Sequence, residues 1–351
     1  MSDRFFEKPI LNSPYEYPRQ HWKLDDAGQP TAEVFEQRRE ARFISPIPKT
    51  KKQGKKQKQE QADLALDEEA EKLSGSGQDY RLYEEINDLR KIVDTWRALP
   101  DPTTWNVTPE TQRLLQHWRH HQFVGLRPFF CQVEAAEMII WLTEVAPKVK
   151  EGKRFIEHLE TANDAANPGL PRLALKLATG AGKTTVMAMI IAWQTINAVR
   201  RPGSKNFTKG FLVVAPGVTI RDRLRVLQPN DPDSYYQSRE LVPSEMAGDI
   251  QRAQIVITNY HAFGRRTTMD ISKGGKALLE GRDGEEMQTI ESEGQMLQRV
   301  CPELLGMKHV MVINDEAHHC YREKPPEEDE EGKLTGDDLK DAKKNKEAAR
   351  Q

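Results

Sequence analysis

The sequence predicts an α/β fold: a parallel sheet with helices on both faces, preceded by a helical and extended brace. Three observations carry this reading. Residues 173–185, LALKLATGAGKTT, read as an alternating apolar strand, a glycine turn and the start of a helix. Further short apolar runs follow, FLVVA at 211–215 and QIVITN at 254–259, separated by stretches of helical or loop character. A last run, VMVI at 310–313, is followed after Asn314 by two acidic residues. Short β-rich runs alternating with helical patterns point to a parallel sheet.

The glycine turn suits one chemical task. Gly180 and Gly182 flank Ala181, and Lys183 and Thr184 follow at once. Glycine lets the backbone take a positive φ and approach a polyphosphate closely. Successive N–H groups then form a concave anion site at the helix N-terminus. Lys183 supplies a point charge for the phosphates, and the Thr184 hydroxyl can ligate Mg²⁺. The longer pattern G-x-x-x-x-G-K-[ST] is incomplete, because Leu177 stands at its first glycine position. Far downstream, residues 309–319 read HVMVINDEAHH. Their apolar run fits a central strand buried on both faces. Asp315 and Glu316 lie at its carboxyl end, where ligands gather in open α/β sheets. One carboxylate can hold Mg²⁺ and the next can polarise an attacking water.

ATGAGKT at 178–184 together with DEAH at 315–318 resembles motifs I and II of the superfamily 2 helicases and translocases. The segments DRFFEKPILNSPYEYPRQHW (3–22), FLVVAPGVTIRDRL (211–224) and VINDEAHHCY (312–321) resemble, more narrowly, the helicase-like subunit of type III restriction endonucleases. The resemblance implies a P-loop NTPase (RecA-like) sheet, ATP and Mg²⁺ as cofactors, and double-stranded DNA as the partner. It implies nucleotide contacts by Thr179, Gly180, Ala181, Gly182, Lys183, Thr184 and Thr185, with Mg²⁺ on Thr184 and Asp315. Lys183 and Glu316 take the catalytic roles, and His318 couples nucleotide state to a facing domain. Gln132, in LRPFFCQ, stands where the family reads adenine, since an amide donates and accepts at once; a solvent-facing helix glutamine is the plainer alternative. Pro216, Gly217 and Arg221 match a motif that touches the sugar-phosphate backbone. Arg221 and Arg225 fall on one face of the helix expected after Gly217, which reads equally as an ordinary exposed basic helix. Asn259 and Tyr260 lie in the next nucleic-acid-facing region; Tyr260 and His261 either stack there or cap a buried loop. A modification methyltransferase subunit is the further partner the family implies.

The remaining chain gives organisation. Its 351 residues suffice for one large domain or two modest ones. Thirty per cent are charged, with a formal net charge of -2, a balance that leaves a basic face open. Three cysteines, Cys131, Cys301 and Cys320, form no paired spacing and argue for a reducing cytoplasm. No apolar run reaches membrane-spanning length. Residues 1–79 are expected to form an extended segment with a turn at 25–28 and a short amphipathic helix at 31–43. A Lys/Gln-rich loop at 49–61 reads as a solvated linker or an electrostatic contact with nucleic acid. Residues 80–160 form a helical brace: Leu82, Ile86, Leu89 and Val93 recur near the helical period, Thr108-Pro109 reads as a cap and first helical position, and a helix runs from 126 to about 145. A loop at 163–171 leads into the ATP-binding half, 161–322. That half carries an insertion at 264–306, read as a loop plus one helix at 285–300. His309, His318, His319 and Cys320 lack the paired spacing of a zinc site. A charged tail covers 323–351. No motif III, arginine finger or nuclease signature follows DEAH, so the sequence reads as the first motor domain of a longer protein, lacking its second RecA-like domain. A nucleotide- or DNA-binding module needing a partner chain, and an RNA helicase, remain the other readings.

Overall fold

The computed structural model describes residues 3–25, 28–41, 76–166, 168–265, 267–268 and 289–317. It forms two compact units, Met1–Met189 and Ile190–Gln351. The Lys/Gln-rich loop at 49–61, about half of the insertion at 264–306, His318, His319, Cys320 and the tail at 323–351 lie outside the described residues.

The first unit opens with a short helix, α1 (Asp3–Glu7), and an antiparallel hairpin of β1 (His21–Leu24) and β2 (Pro30–Phe35). His21 faces Phe35 and Trp22 faces Val34. At the ends of the turn expected at 25–28, the Gly28 N–H donates to the Asp25 carbonyl at 2.9 Å, with Gly28 at φ 76°. Over its described residues, 31–41, the helix expected at 31–43 does not form. The turn supplies residues 30–35 with a partner strand, and pairing overrides a weak helical pattern.

Four helices follow: α2 (Ser76–Arg97), α3 (Pro109–His120), α4 (Phe130–Ile140) and α5 (Lys150–Ala166). Thr108 caps α3 as expected, its hydroxyl accepting from the Thr111 N–H at 3.1 Å with Pro109 at the first position. Val93, Trp96, Leu114, Leu115, Trp118, Ile140 and Trp141 make the core.

Residues 171–178 run as coil, so the strand expected before the glycine turn is absent. Leu173 is 45% exposed and Leu175 lies open beside it. A strand exists only through its ladder. In this unit, among the described residues, the β1–β2 hairpin is the sheet, and it pairs only with itself.

Helix α6 (Lys183–Arg200) starts in the first unit and ends in the second. Every residue from Thr185 to Asn197 is buried, as befits a helix apolar on most sides.

The second unit is built on a three-stranded parallel sheet. β3 (Gly210–Ala215) lies between β4 (Gln254–Asn259) and β5 (Met311–Asn314). Phe211 stands opposite both Ile255 and Met311. β3 is buried, but β5 is not the doubly buried central strand expected: among the described residues it is an edge, with Val312 55% exposed. After β3 comes α7 (Val218–Arg223), which passes into a 3₁₀ turn, Leu224–Leu227. In the insertion, α8 (Glu293–Val300) starts later than the expected 285 because Ser292 caps it, in a reciprocal capping box with Gln295. No described helix is long and apolar enough to cross a membrane.

Gly152 tests the packing of α5. A Cβ there would overlap the Ala146 backbone, which has no rotamer to move. Alanine ordinarily favours a helix over glycine by up to about 1 kcal/mol. Here overpacking should reverse the sign, so Gly152→Ala should lower unfolding stability by about 1–3 kcal/mol. A urea midpoint at or above wild type would contradict this packing.

Candidate nucleotide and nucleic-acid site

The glycine turn has the shape its residues require. Gly180 and Gly182 lie in the left-handed region at φ 81° and 76°. The Ala181 N–H donates to the Ala178 carbonyl at 3.1 Å, and the Thr185 N–H to the Gly182 carbonyl at 2.9 Å. The two glycines differ in surroundings. A Cβ on Gly180 would meet open space, whereas one on Gly182 would overlap the Gln132 amide. Lys183 and Thr184 are half-buried in the first turn of α6, Thr185 is buried, and Thr179 is exposed.

Gln132 does not face solvent; it is 3% exposed. Its Oε1 accepts from the Phe129 N–H at 3.0 Å. Its Nε2 donates to the Ala181 carbonyl at 2.8 Å. The side chain thus ties the N-terminus of α4 to the middle of the glycine turn.

What places α4 is a buried charge network. Glu134 forms a bidentate pair with Arg38, at 2.6 Å to each guanidinium nitrogen. Glu137, fully buried, accepts from Arg97 Nε at 2.6 Å and Arg119 Nε at 2.7 Å. Arg97 also pairs with Asp94, which accepts from the Tyr17 hydroxyl at 2.9 Å. Burial works against the charge on Arg97, yet Glu137, Glu134 and Asp94 leave its pKa above the ordinary value. Arg119 ends lower: burial dominates there, and Glu137 only partly offsets it. The sequence reading missed Arg38, Asp94, Arg97, Arg119 and Glu137. The signal was present in α4 itself, FCQVEAAEMII, where two glutamates three apart sit among apolar residues.

In the second unit the expected residues gather at one edge. Pro216 and Gly217 follow β3, Asn259 ends β4 with Tyr260 after it, and Asp315 and Glu316 follow β5. Ala215 stands opposite Asn259, and the Asp315 N–H extends the ladder to the Val214 carbonyl at 2.9 Å. This is the carboxyl edge of a parallel sheet, where ligands bind. Glu316 is left-handed at φ 51°, a conformation that costs a non-glycine residue about 1–3 kcal/mol.

Other expectations shift. Arg221 and Arg225 do not share one helix, because α7 ends between them. Arg221 pairs with Asp222, and Arg225 with Asp231 and Asp233; all but the half-buried Asp231 are exposed. Asn259 is an N-cap: its Oδ1 accepts from the Ala262 N–H at 3.0 Å, starting the turn Tyr260–Phe263. Among the described residues no three His, Cys, Asp or Glu cluster as a metal site. The glycine turn belongs to the first unit and the acidic pair to the second.

A left-handed glycine turn opening a buried helix, with a parallel sheet whose edge carries an Asp-Glu pair, defines a P-loop, helicase-like α/β protein. A family model for the type III restriction enzyme res subunit matches residues 127–346, more than half of the chain, and the chain belongs to that family. The family implies an ATP-dependent, helicase-like function in a restriction system, acting on DNA. No curated protein and no solved structure matches the chain.

Removing a fully buried carboxylate leaves two buried guanidinium groups without it. Glu137→Ala should therefore destabilise the chain by about 3–5 kcal/mol. Urea unfolding checks this; a loss under about 1 kcal/mol, the size of an exposed pair, would mean the network does not hold α4.

Proposed function

We propose that the chain binds ATP with Mg²⁺ and hydrolyses it in concert with double-stranded DNA, as the first motor domain of a restriction translocase. The observation that supports this most directly is the glycine turn, left-handed at both glycines and clasped by Gln132 at the start of α6. The residues fit a triphosphate: Gly180 leaves open space where a side chain would stand. Helix α6 begins at Lys183, directly after Gly182, and a helix N-terminus favours an anion.

The roles follow from side-chain chemistry. Gly180 and Gly182, with Thr179, Ala181 and Thr185, form the cradle; Lys183 meets the phosphate charge. Thr184 and Asp315 would hold Mg²⁺, which when bound neutralises phosphate charge. Glu316 orients the attacking water and takes its proton. Gln132 keeps one amide N–H and one oxygen lone pair beyond its two hydrogen bonds, enough for an adenine edge. Pro216, Gly217, Arg221, Asn259 and Tyr260 face the DNA. His318 couples nucleotide state to a second RecA-like domain, which completes the site. A modification methyltransferase subunit and a cytoplasmic location belong to the same proposal, as does the assignment of 161–322 to the ATP-binding half.

Two substitutions separate binding from chemistry. Lys183→Ala should abolish ATP binding, read by fluorescent-nucleotide titration. Glu316→Gln should bind ATP as wild type does and lose turnover by about 10²–10⁴-fold, the usual contribution of a general base. Unchanged affinity in the lysine variant would sink the phosphate-loop assignment; full turnover in Glu316→Gln would remove the water-activating role.

A further inference from the structure

Inside the insertion, α8 carries an arginine that joins one turn to a buried carboxylate. Arg299 Nη1 donates to the Ala262 carbonyl at 3.0 Å, and its Nη2 to the Gly264 carbonyl at 3.2 Å. The same guanidinium grips Glu291 on both oxygens, at 2.9 Å and 2.8 Å. Glu291 is only 4% exposed, so the arginine is itself held by a buried carboxylate. From the other side, the Asn259 side chain caps the same turn. Four residues between strand and insertion are thus fixed at both ends.

What the turn presents is aromatic. The Tyr260 and His261 rings lie 3.8 Å apart, tilted by 35°, and both are exposed, Tyr260 by 39%. Burying a carboxylate and ordering an arginine side chain both carry a cost. That cost is met under a turn whose outermost groups are two flat rings in water. The rings follow β4 at the carboxyl edge of the sheet whose other two strands, β3 beside it and β5 beyond, lead into Gly217 and Glu316.

We propose that Tyr260 and His261 form a stacking platform for an unpaired nucleobase, and that Arg299 with Glu291 positions it. This rests on the reading above that the edge faces nucleic acid, and it deepens that reading by naming single-stranded nucleic acid as the occupant. Stacking needs an open π-face, which an unpaired base has and the interior of a duplex does not. Arg299 acts through the turn and is a positioning residue. Lysine cannot replace it, because a point charge cannot reach two carbonyls and a bidentate carboxylate together.

The test uses the purified full chain and a short fluorescein-labelled single strand beside its duplex, read by anisotropy across a salt series. Tyr260→Ala should weaken single-strand binding roughly 5- to 100-fold, the range for loss of one stacked base. Tyr260→Trp should retain binding. Arg299→Ala and Arg299→Lys should weaken it to a similar degree, and Tyr260→Ala with Arg299→Ala should be no weaker than the worse single change. The salt slope should stay unchanged in all of them, since no phosphate contact is lost. Wild-type single-strand affinity in Tyr260→Ala would overturn the platform. A slope reduced by about one contact in Arg299→Ala would make that arginine a phosphate ligand and overturn its positioning role. Titration with fluorescent ATP runs alongside. Failure of the wild-type chain to bind it would count against the ATP reading alone, because strand binding is measured without nucleotide.

Discussion

Two carboxylates buried in one helix set the terms for the first unit. A buried carboxylate costs several kcal/mol unless charge partners and hydrogen bonds compensate it. Glu134 and Glu137 find theirs in three arginines drawn from separate stretches: Arg38 beyond the hairpin, Arg97 at the end of α2 and Arg119 in α3. Aromatic faces close the cage. Arg38 and Arg97 lie over Phe130, and Arg119 over Trp96 and Trp105. An apolar helix could slide or rotate by a residue at small cost, whereas this one cannot without stranding a charge. The network fixes position rather than adding net stability.

That fixed position matters because of what the helix carries at its other end. Gln132 stands in the first turn of α4, two residues before Glu134, and reaches the carbonyl at the centre of the glycine turn. The preceding stretch, 171–178, has no ladder to hold it. The turn therefore owes its placement to the helix behind it and to Gln132 beside it. Gly182 must be glycine twice over, once for φ and once because the amide occupies the space of a side chain. Within the chain itself, Gly180 must be glycine for φ alone.

The sequence made local chemistry legible and left long-range pairing obscure. The cap at Thr108, the glycine turn, and the strands β3 and β4 could be read directly, because each is encoded within a few neighbouring residues. The turn at 25–28 was read, but not its consequence. HWKL and PTAEVF flank it at hairpin distance, and reading all three together would have given the strands in place of a helix at 31–43. Residues 173–177 failed the opposite way: leucine alternation encodes two faces but names no partner. β5 shows the same limit, since an apolar run does not say whether both of its neighbours exist. The charge network and the Arg299 fork were illegible for a plainer reason. Apart from the local pair Asp94–Arg97, their partners lie 8 to 96 residues apart in the chain, and no spacing rule joins Arg38 to Glu134 or Glu291 to Arg299.

At the end of β5 a carboxylate sits on strained backbone. The ladder holds through Asp315, whose N–H bonds to Val214, and the next residue enters the left-handed region. Glycine or asparagine would adopt that conformation at little cost, and both are common where strands turn. A glutamate there is strained, and strain of this kind persists only where the surroundings over-determine the backbone. A turn serving connection alone would relax by substitution to glycine. Keeping the carboxylate at the cost of strain fits the role proposed for Glu316 in orienting water, and sets it apart from Asp315, the proposed cation ligand, which stays on the ladder.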